Sequence, residues 1–155
     1  MTTPSASPRR TLWVDADACP VRAEALRVGL RHGWRVVMVS NGGIRPSAHP
    51  GAEIVVAPEG PDMADRLIAD RLAPGDVVVT ADLPLAARAL DGGAGALTPS
   101  GEVLSARNIG PRLAARDLAA DLRAADPFRA GRGQVFSRTD RARFLDAAER
   151  MLRPR

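Results

Sequence analysis

The chain has 155 residues, 45% of them hydrophobic, with 22 basic residues against 18 acidic ones and a single cysteine, Cys19. That length suits one domain with a core of its own. One cysteine excludes an internal disulfide and suits a reducing compartment, and every basic residue is arginine, which excludes lysine-dependent sites such as the P-loop.

Residues 1–10, MTTPSASPRR, are polar and carry two prolines and no apolar stretch. They read as a frayed tail ahead of a single domain over 11–152, and not as a signal peptide. No apolar run approaches the roughly 20 residues of a membrane span, so a cytoplasmic location and no membrane partner are expected. Leu12 to Val14 begins an apolar strand that runs into Asp15-Ala16-Asp17. Pro20 suits the first turn of a helix in which Ala25, Leu26, Gly29 and Leu30 recur at helical spacing, ended by His32-Gly33. Trp34 to Val39 is a buried strand, Ser40 to Gly51 a loop, and Ile54 to Ala57 a third strand. Asp62 opens a helix reaching about Leu72, with Met63, Leu67 and Ile68 facing inward. Val77 to Thr80 is a fourth strand, Leu83 to Leu90 a helix, and Ala94 to Leu97 a fifth strand. Two helices follow, about Ile109 to Ala125 and Thr139 to Leu152, joined by a Gly/Arg-rich loop from Asp126 to Arg138. This alternation predicts an α/β domain with a mostly parallel central sheet, helices on both faces and a C-terminal helical extension.

In a parallel sheet every strand ends on one edge, where ligands bind. Asp15 and Asp17 follow strand one, Asn41 follows strand two, Asp62 and Asp65 open the helix after strand three, and Asp82 follows strand four. Topology alone gathers these acids. Crowded carboxylates repel one another and are costly to desolvate unless paired. An oxygen-only ligand set suits Mg²⁺ or Mn²⁺. Such an ion polarises a phosphoryl oxygen and activates water for in-line attack, which is the chemistry of phosphodiester hydrolysis. Plainer roles compete with this one. Asp62 and Asp82 could only cap their helices, Asp65 could only favour the helix dipole, and Asn41 could only turn the chain. Cys19 is either a small buried side chain or a thiol with a lowered pKa at a helix start.

The charge is uneven. Residues 1–104 carry 10 Arg and 12 acids, and residues 105–155 carry 12 Arg and 6 acids, so the net charges are −2 and +6. A basic C-terminal third points to a polyanionic partner or to an Arg-rich solvated helix surface.

Several segments resemble one family. Val14-Asp15-Ala16-Asp17-Ala18-Cys19-Pro20-Val21 resembles the opening motif of the bacterial YaiI/YqxD family. Val39-Ser40-Asn41, Asp62-Met63-Ala64-Asp65, Thr80-Ala81-Asp82-Leu83-Pro84-Leu85-Ala86 and the stretch from Arg138 to Phe144 with its Asp140-Arg141 pair follow in order. The resemblance covers roughly residues 11–150. Gly131-Arg132-Gly133 departs from the Gly-Gly-Pro stretch expected there. The family is similar to PIN-like and NYN-like domains, which are Mg²⁺- or Mn²⁺-dependent nucleases acting mainly on RNA. By that resemblance Asp15, Asp62 and Asp82 fall at acidic metal positions, with Asp17 and Asp65 as supporting acids.

The leading expectation is therefore a metal-dependent ribonuclease-like enzyme. Asp15, Asp17 and Asp82 would be catalytic, and all five aspartates would hold metal. Asn41, Arg45, Arg112, Arg116 and Arg138 would contact the RNA. With Trp13, Trp34, Phe128, Phe136 and Phe144 as the only aromatics, and both tryptophans read as core, base stacking is limited. The alternatives are a non-catalytic nucleic-acid- or partner-binding protein and a haloacid-dehalogenase-like phosphatase. The latter is disfavoured because its chemistry usually needs a lysine.

Overall fold

The computed structural model describes residues 9–125 and 135–154. Most of the expected N-terminal tail lies outside them, as do Phe128, Gly131-Arg132-Gly133 and most of the Gly/Arg-rich loop. Apolar runs, rich in valine in the second to fourth, make the strands β1 (Thr11–Asp15), β2 (Arg35–Ser40), β3 (Glu53–Val56) and β4 (Val77–Val79), joined by β5 (Gly95–Leu97) and β6 (Val103–Leu104). The helices are α1 (Arg22–Arg31), α2 (Met63–Arg71), α3 (Leu83–Asp91), α4 (Ile109–Ala125) and α5 (Arg138–Leu152). A short 3-10 turn, Pro46–Ala48, interrupts the loop after β2.

The six strands lie in the order β3-β2-β1-β4-β5-β6. All pair in parallel except β6, which returns antiparallel to β5. Alternate residues of each strand face opposite layers. Leu12, Val14, Val36, Met38, Val77 and Val79 pack beneath α1 and α5, where Ala25, Val28, Phe144, Ala148 and Leu152 are buried. Trp13, Val37, Val39, Val78 and Ala96 face the other way, onto Ala64 and Ile68 of α2 and Leu85, Ala86 and Ala89 of α3. The result is the expected three-layer α/β arrangement, with α5 packed into one of its layers. Both tryptophans are core, as expected. Among the described residues no helix is long and apolar enough to cross a membrane.

Several local expectations shift. Helix α1 starts at Arg22, with Pro20 ahead of it and Val21 as its cap residue. Val28 is buried on α1 while Leu30 is 41% exposed, so the inward face is rotated from the expected one. Strand β6 carries no sequence pattern of its own, because a run of two residues has no measurable period.

One acid is plainly structural. Asp76 is buried just before β4, at the sheet edge opposite Asp15 and Asp82. It accepts from the backbone N–H of Thr11 at 3.0 Å, from Trp13 Nε1 at 3.1 Å and from the Ala73 N–H at 2.9 Å. Those bonds satisfy its carboxylate without a cation.

Candidate metal and phosphate site

Strands β1 and β4 are neighbours at the centre of the sheet, and the connections run outward from them in opposite directions. A crevice forms beyond the strand ends at such a switch point. Asp15 is the last residue of β1, half-buried at the head of this crevice. Thr80, just past β4, donates from Oγ1 to Asp15 Oδ2 at 2.8 Å, and the same oxygen accepts the Asp82 backbone N–H at 2.9 Å. One threonine thus fixes the two acids relative to each other. Asp82 caps α3, with Oδ1 accepting the Leu85 N–H at 3.0 Å. The plainer capping role is therefore real for Asp82, but it engages one oxygen. Asp62 behaves differently. It sits at φ 63 ahead of α2 and makes no side-chain cap bond.

Asp62, Asp65 and Asp82 line one cavity of about 320 Å³ together with Arg66, Arg88 and Arg116. Burial, a hydrogen bond with Asp82 and the charges of Asp82, Asp15 and Asp62 push the Asp65 carboxyl up to about 7. Burial chiefly raises Asp15 as well. The Thr80 hydrogen bond opposes that rise, and Asp82 and Asp17 add to it. Asp15, Asp62, Asp65 and Asp82 therefore share one electrostatic environment. Asp17 is exposed at its margin and accepts the Asn41 backbone N–H at 2.9 Å. Among the described residues, no group of three or more His, Cys, Asp or Glu side chains is arranged so that it could itself hold a metal ion.

The arginines divide. Arg116 lines the acid cavity and pairs with Asp117 at 3.1 Å, an exposed pair of little energetic weight. Arg112, one turn earlier on α4, pairs with Glu102 at 3.0 Å and faces a different cavity. Arg45 and Arg138 are exposed at the starts of the 3-10 turn and of α5, outside the lining of the acid cavity. Arg66 and Arg88, which do line it, were not legible as site residues, because both read as ordinary helix-surface charges. Cys19 is buried, and burial pushes its thiol up, so the activated-thiol reading fails and the small buried side chain stands.

The comparisons agree with the motif reading. A family profile described as "Uncharacterized BCR, YaiI/YqxD family" matches residues 13–154. The chain belongs to the YaiI/YqxD family. A UPF0178 protein of Cereibacter sphaeroides is 64% identical over 142 residues, which cover 92% of this chain and 88% of that one. UPF0178 proteins of Roseobacter denitrificans and Caulobacter vibrioides are 58% and 46% identical, each match covering 92% of this chain and respectively 94% and 92% of theirs. In this YaiI/YqxD member, the Thr80-Ala81-Asp82 segment supplies the hydroxyl that joins β1 to β4 at the crevice.

The raised Asp65 carboxyl has a thermodynamic consequence. An unfolded chain releases this proton near the ordinary 3.8, the folded one only near 7. Between those values the unfolded state binds fewer protons, so this group's contribution to stability falls as pH rises through that window. Without divalent metal, Asp65→Asn is expected to be more stable than the parent above pH 7, by about 1 kcal/mol after allowance for solvent screening of a partly exposed group. Below pH 4 the two should converge. Urea unfolding at pH 3.5, 5.5 and 8 measures the difference.

Proposed function

We propose that this chain is a divalent-metal-dependent nuclease that hydrolyses phosphodiester bonds, with RNA as its substrate. One observation carries the reading. Asp15, Asp65 and Asp82 reach a single crevice from three different strand–helix junctions, and burial, with the Asp82 hydrogen bond and the neighbouring carboxylate charges adding to it, raises Asp65 to about 7. That is an arrangement a cation would relieve.

The donor set fits Mg²⁺ or Mn²⁺. It is all oxygen, and it does not form a closed protein cage among the described residues. Mg²⁺ commonly takes only one or two carboxylates and fills its shell with water and substrate phosphate. Asp15 and Asp82 would hold the ion, with Asp65, Asp62 and Asp17 around them. When bound, the ion supplies polarisation of the phosphoryl group and activation of water. The chain's own part is positioning. Thr80 locks Asp15, the start of α3 locks Asp82, and Arg116, Arg66 and Arg88 stand beside the acids where a phosphodiester backbone needs countercharge. The resemblance of the family to PIN-like and NYN-like domains supports the same chemistry and the choice of RNA.

A second reading, a non-catalytic nucleic-acid binder, is favoured by the lack of a ready-made metal-holding group among the described residues and by the net +6 of residues 105–155. End-labelled single-stranded RNA, incubated with Mn²⁺, Mg²⁺ or EDTA beside an Asp15→Asn Asp82→Asn variant, separates the two. Cleavage that needs metal and disappears in the variant supports the nuclease. RNA bound equally by both proteins, with no cleavage and no calorimetric metal binding, leaves the binder.

A further inference from the structure

Beside the acid cluster lies an open slot of about 290 Å³ that the nuclease reading leaves unused. Its walls include Ala18, Pro20, Leu83, Pro99, Phe136 and Arg112. Ala18 directly follows Asp17 and Leu83 directly follows Asp82, so the slot begins where the acids end. Ala18 sits at φ 57, a left-handed conformation that disfavours any residue but glycine. Backbone strain of this kind tends to collect at functional sites.

The far wall is held by long-range contacts. Phe136 is the residue before the Ser137 cap of α5. Ser137 and Asp140 form a reciprocal capping box, with bonds of 3.1 Å and 3.0 Å. Arg141 lies over the Phe136 ring at 5.2 Å, the place a hydrophobic staple residue occupies in other helices. Its guanidinium also donates to the Pro20 carbonyl at 3.1 Å and pairs with Glu24. One arginine thereby ties Phe136 to Pro20 across the slot.

Beyond Phe136 a polar cavity of about 580 Å³ shares Ser100, Arg112 and Phe136 with the slot and adds Glu102, Asp140 and Arg143. Its charges are mixed, which suits a phosphate poorly. Donors and acceptors together, behind apolar walls with one aromatic face, suit the edge and faces of a nucleobase. Helix α4 connects the parts, since Arg112 faces the slot and Arg116, four residues on and on the same helix face, faces the acids.

We propose that this slot takes up one unpaired base of a nucleic-acid strand whose adjoining phosphate lies at the acid cluster. The proposal rests on the nuclease reading and narrows its substrate. A base held in a duplex must first be unstacked and unpaired, at a free-energy cost that a single strand does not incur, so a single strand is the preferred substrate.

The test uses single-stranded RNA carrying the fluorescent base 2-aminopurine at successive positions, mixed rapidly with the protein and Mg²⁺ so that binding is read before cleavage. One position should change its emission sharply, and pairing the strand into a duplex should remove the change. Ala81→Leu fills the slot from an exposed position and leaves the core intact. It should remove the emission change and weaken single-strand binding about tenfold, as loss of one base–aromatic stack would. Phe136→Ala should do the same. Metal-dependent cleavage with no responding position, or undiminished binding by Ala81→Leu, overturns the slot and leaves the nuclease standing. A slot-dependent response without any cleavage keeps the slot and overturns the nuclease. RNA that is neither bound nor cleaved overturns both.

Discussion

Replacing Asp15 by Asn is expected to lower metal-dependent RNA cleavage by about a thousandfold, the scale of losing one electrostatic element at a phosphoryl centre. The fold should survive the change. Asn has nearly the shape of Asp, and its amide oxygen can still accept the Thr80 hydroxyl that now reaches Asp15 Oδ2 at 2.8 Å. Burial and the neighbouring Asp82 and Asp17 already disfavour a charge at this position, so removing it relieves repulsion. Asp82→Asn should behave alike, because Asn caps a helix about as well as Asp and can accept the Leu85 N–H. Loss of kcat/KM with an unchanged or higher Tm would mark these carboxylates as catalytic. A variant that keeps the parent rate would remove Asp15 from the reaction.

Gly101→Ala is expected to cost about 4 kcal/mol of stability, among the largest effects of any single substitution here. A Cβ at this position would lie 2.4 Å from the Arg143 carbonyl carbon and 2.6 Å from both Arg143 O and Phe144 N. Those are backbone atoms of α5, so no rotamer change can make room. The glycine also sits at φ 93, a conformation a side chain strains. Relief would push α5 off the sheet and open the pocket around Phe144, which is fully buried. Chemical denaturation should show a lower midpoint. A near-parental midpoint would mean that the turn before β6 can move independently of α5.

The fold was legible where its physics is local. The apolar runs of β1, β2 and β4 and the helices between them are marked by periodicity and by turn residues such as Gly33 and Gly75. Phase was less secure. The inward face of α1 includes Val28 and not Leu30, because packing against β1 and β2 sets the helix rotation and the apolar spacing permits both. The acids of the site were legible for a topological reason, since residues after parallel strands share an edge whatever the side chains do. Their connection through Thr80 was not, because it depends on β1 and β4 being neighbours across 65 residues of sequence. The tie from Arg141 to Pro20 spans 121 residues and leaves no pattern at either end. Asp140-Arg141 stood out only as a motif. The structure gives the pair its work, one residue closing the capping box and the other bracing Phe136.

Helix α4 has no buried residue along its 17, yet its two ends are unequal. Ile109 and Leu113 pack partly against the core, whereas Leu118 and Leu122 are 60% and 48% exposed. The outer turns beyond Arg116 are too short to be stable as an isolated helix in water, and only the anchored turns gain from tertiary packing. Amide protons beyond about residue 116 should therefore exchange with deuterium through local fraying, much faster than those of α3 or α5. Arg112 and Arg116 fall on the slow side of that boundary. Their guanidinium groups stay in register with the crevice while the outer turns open and close.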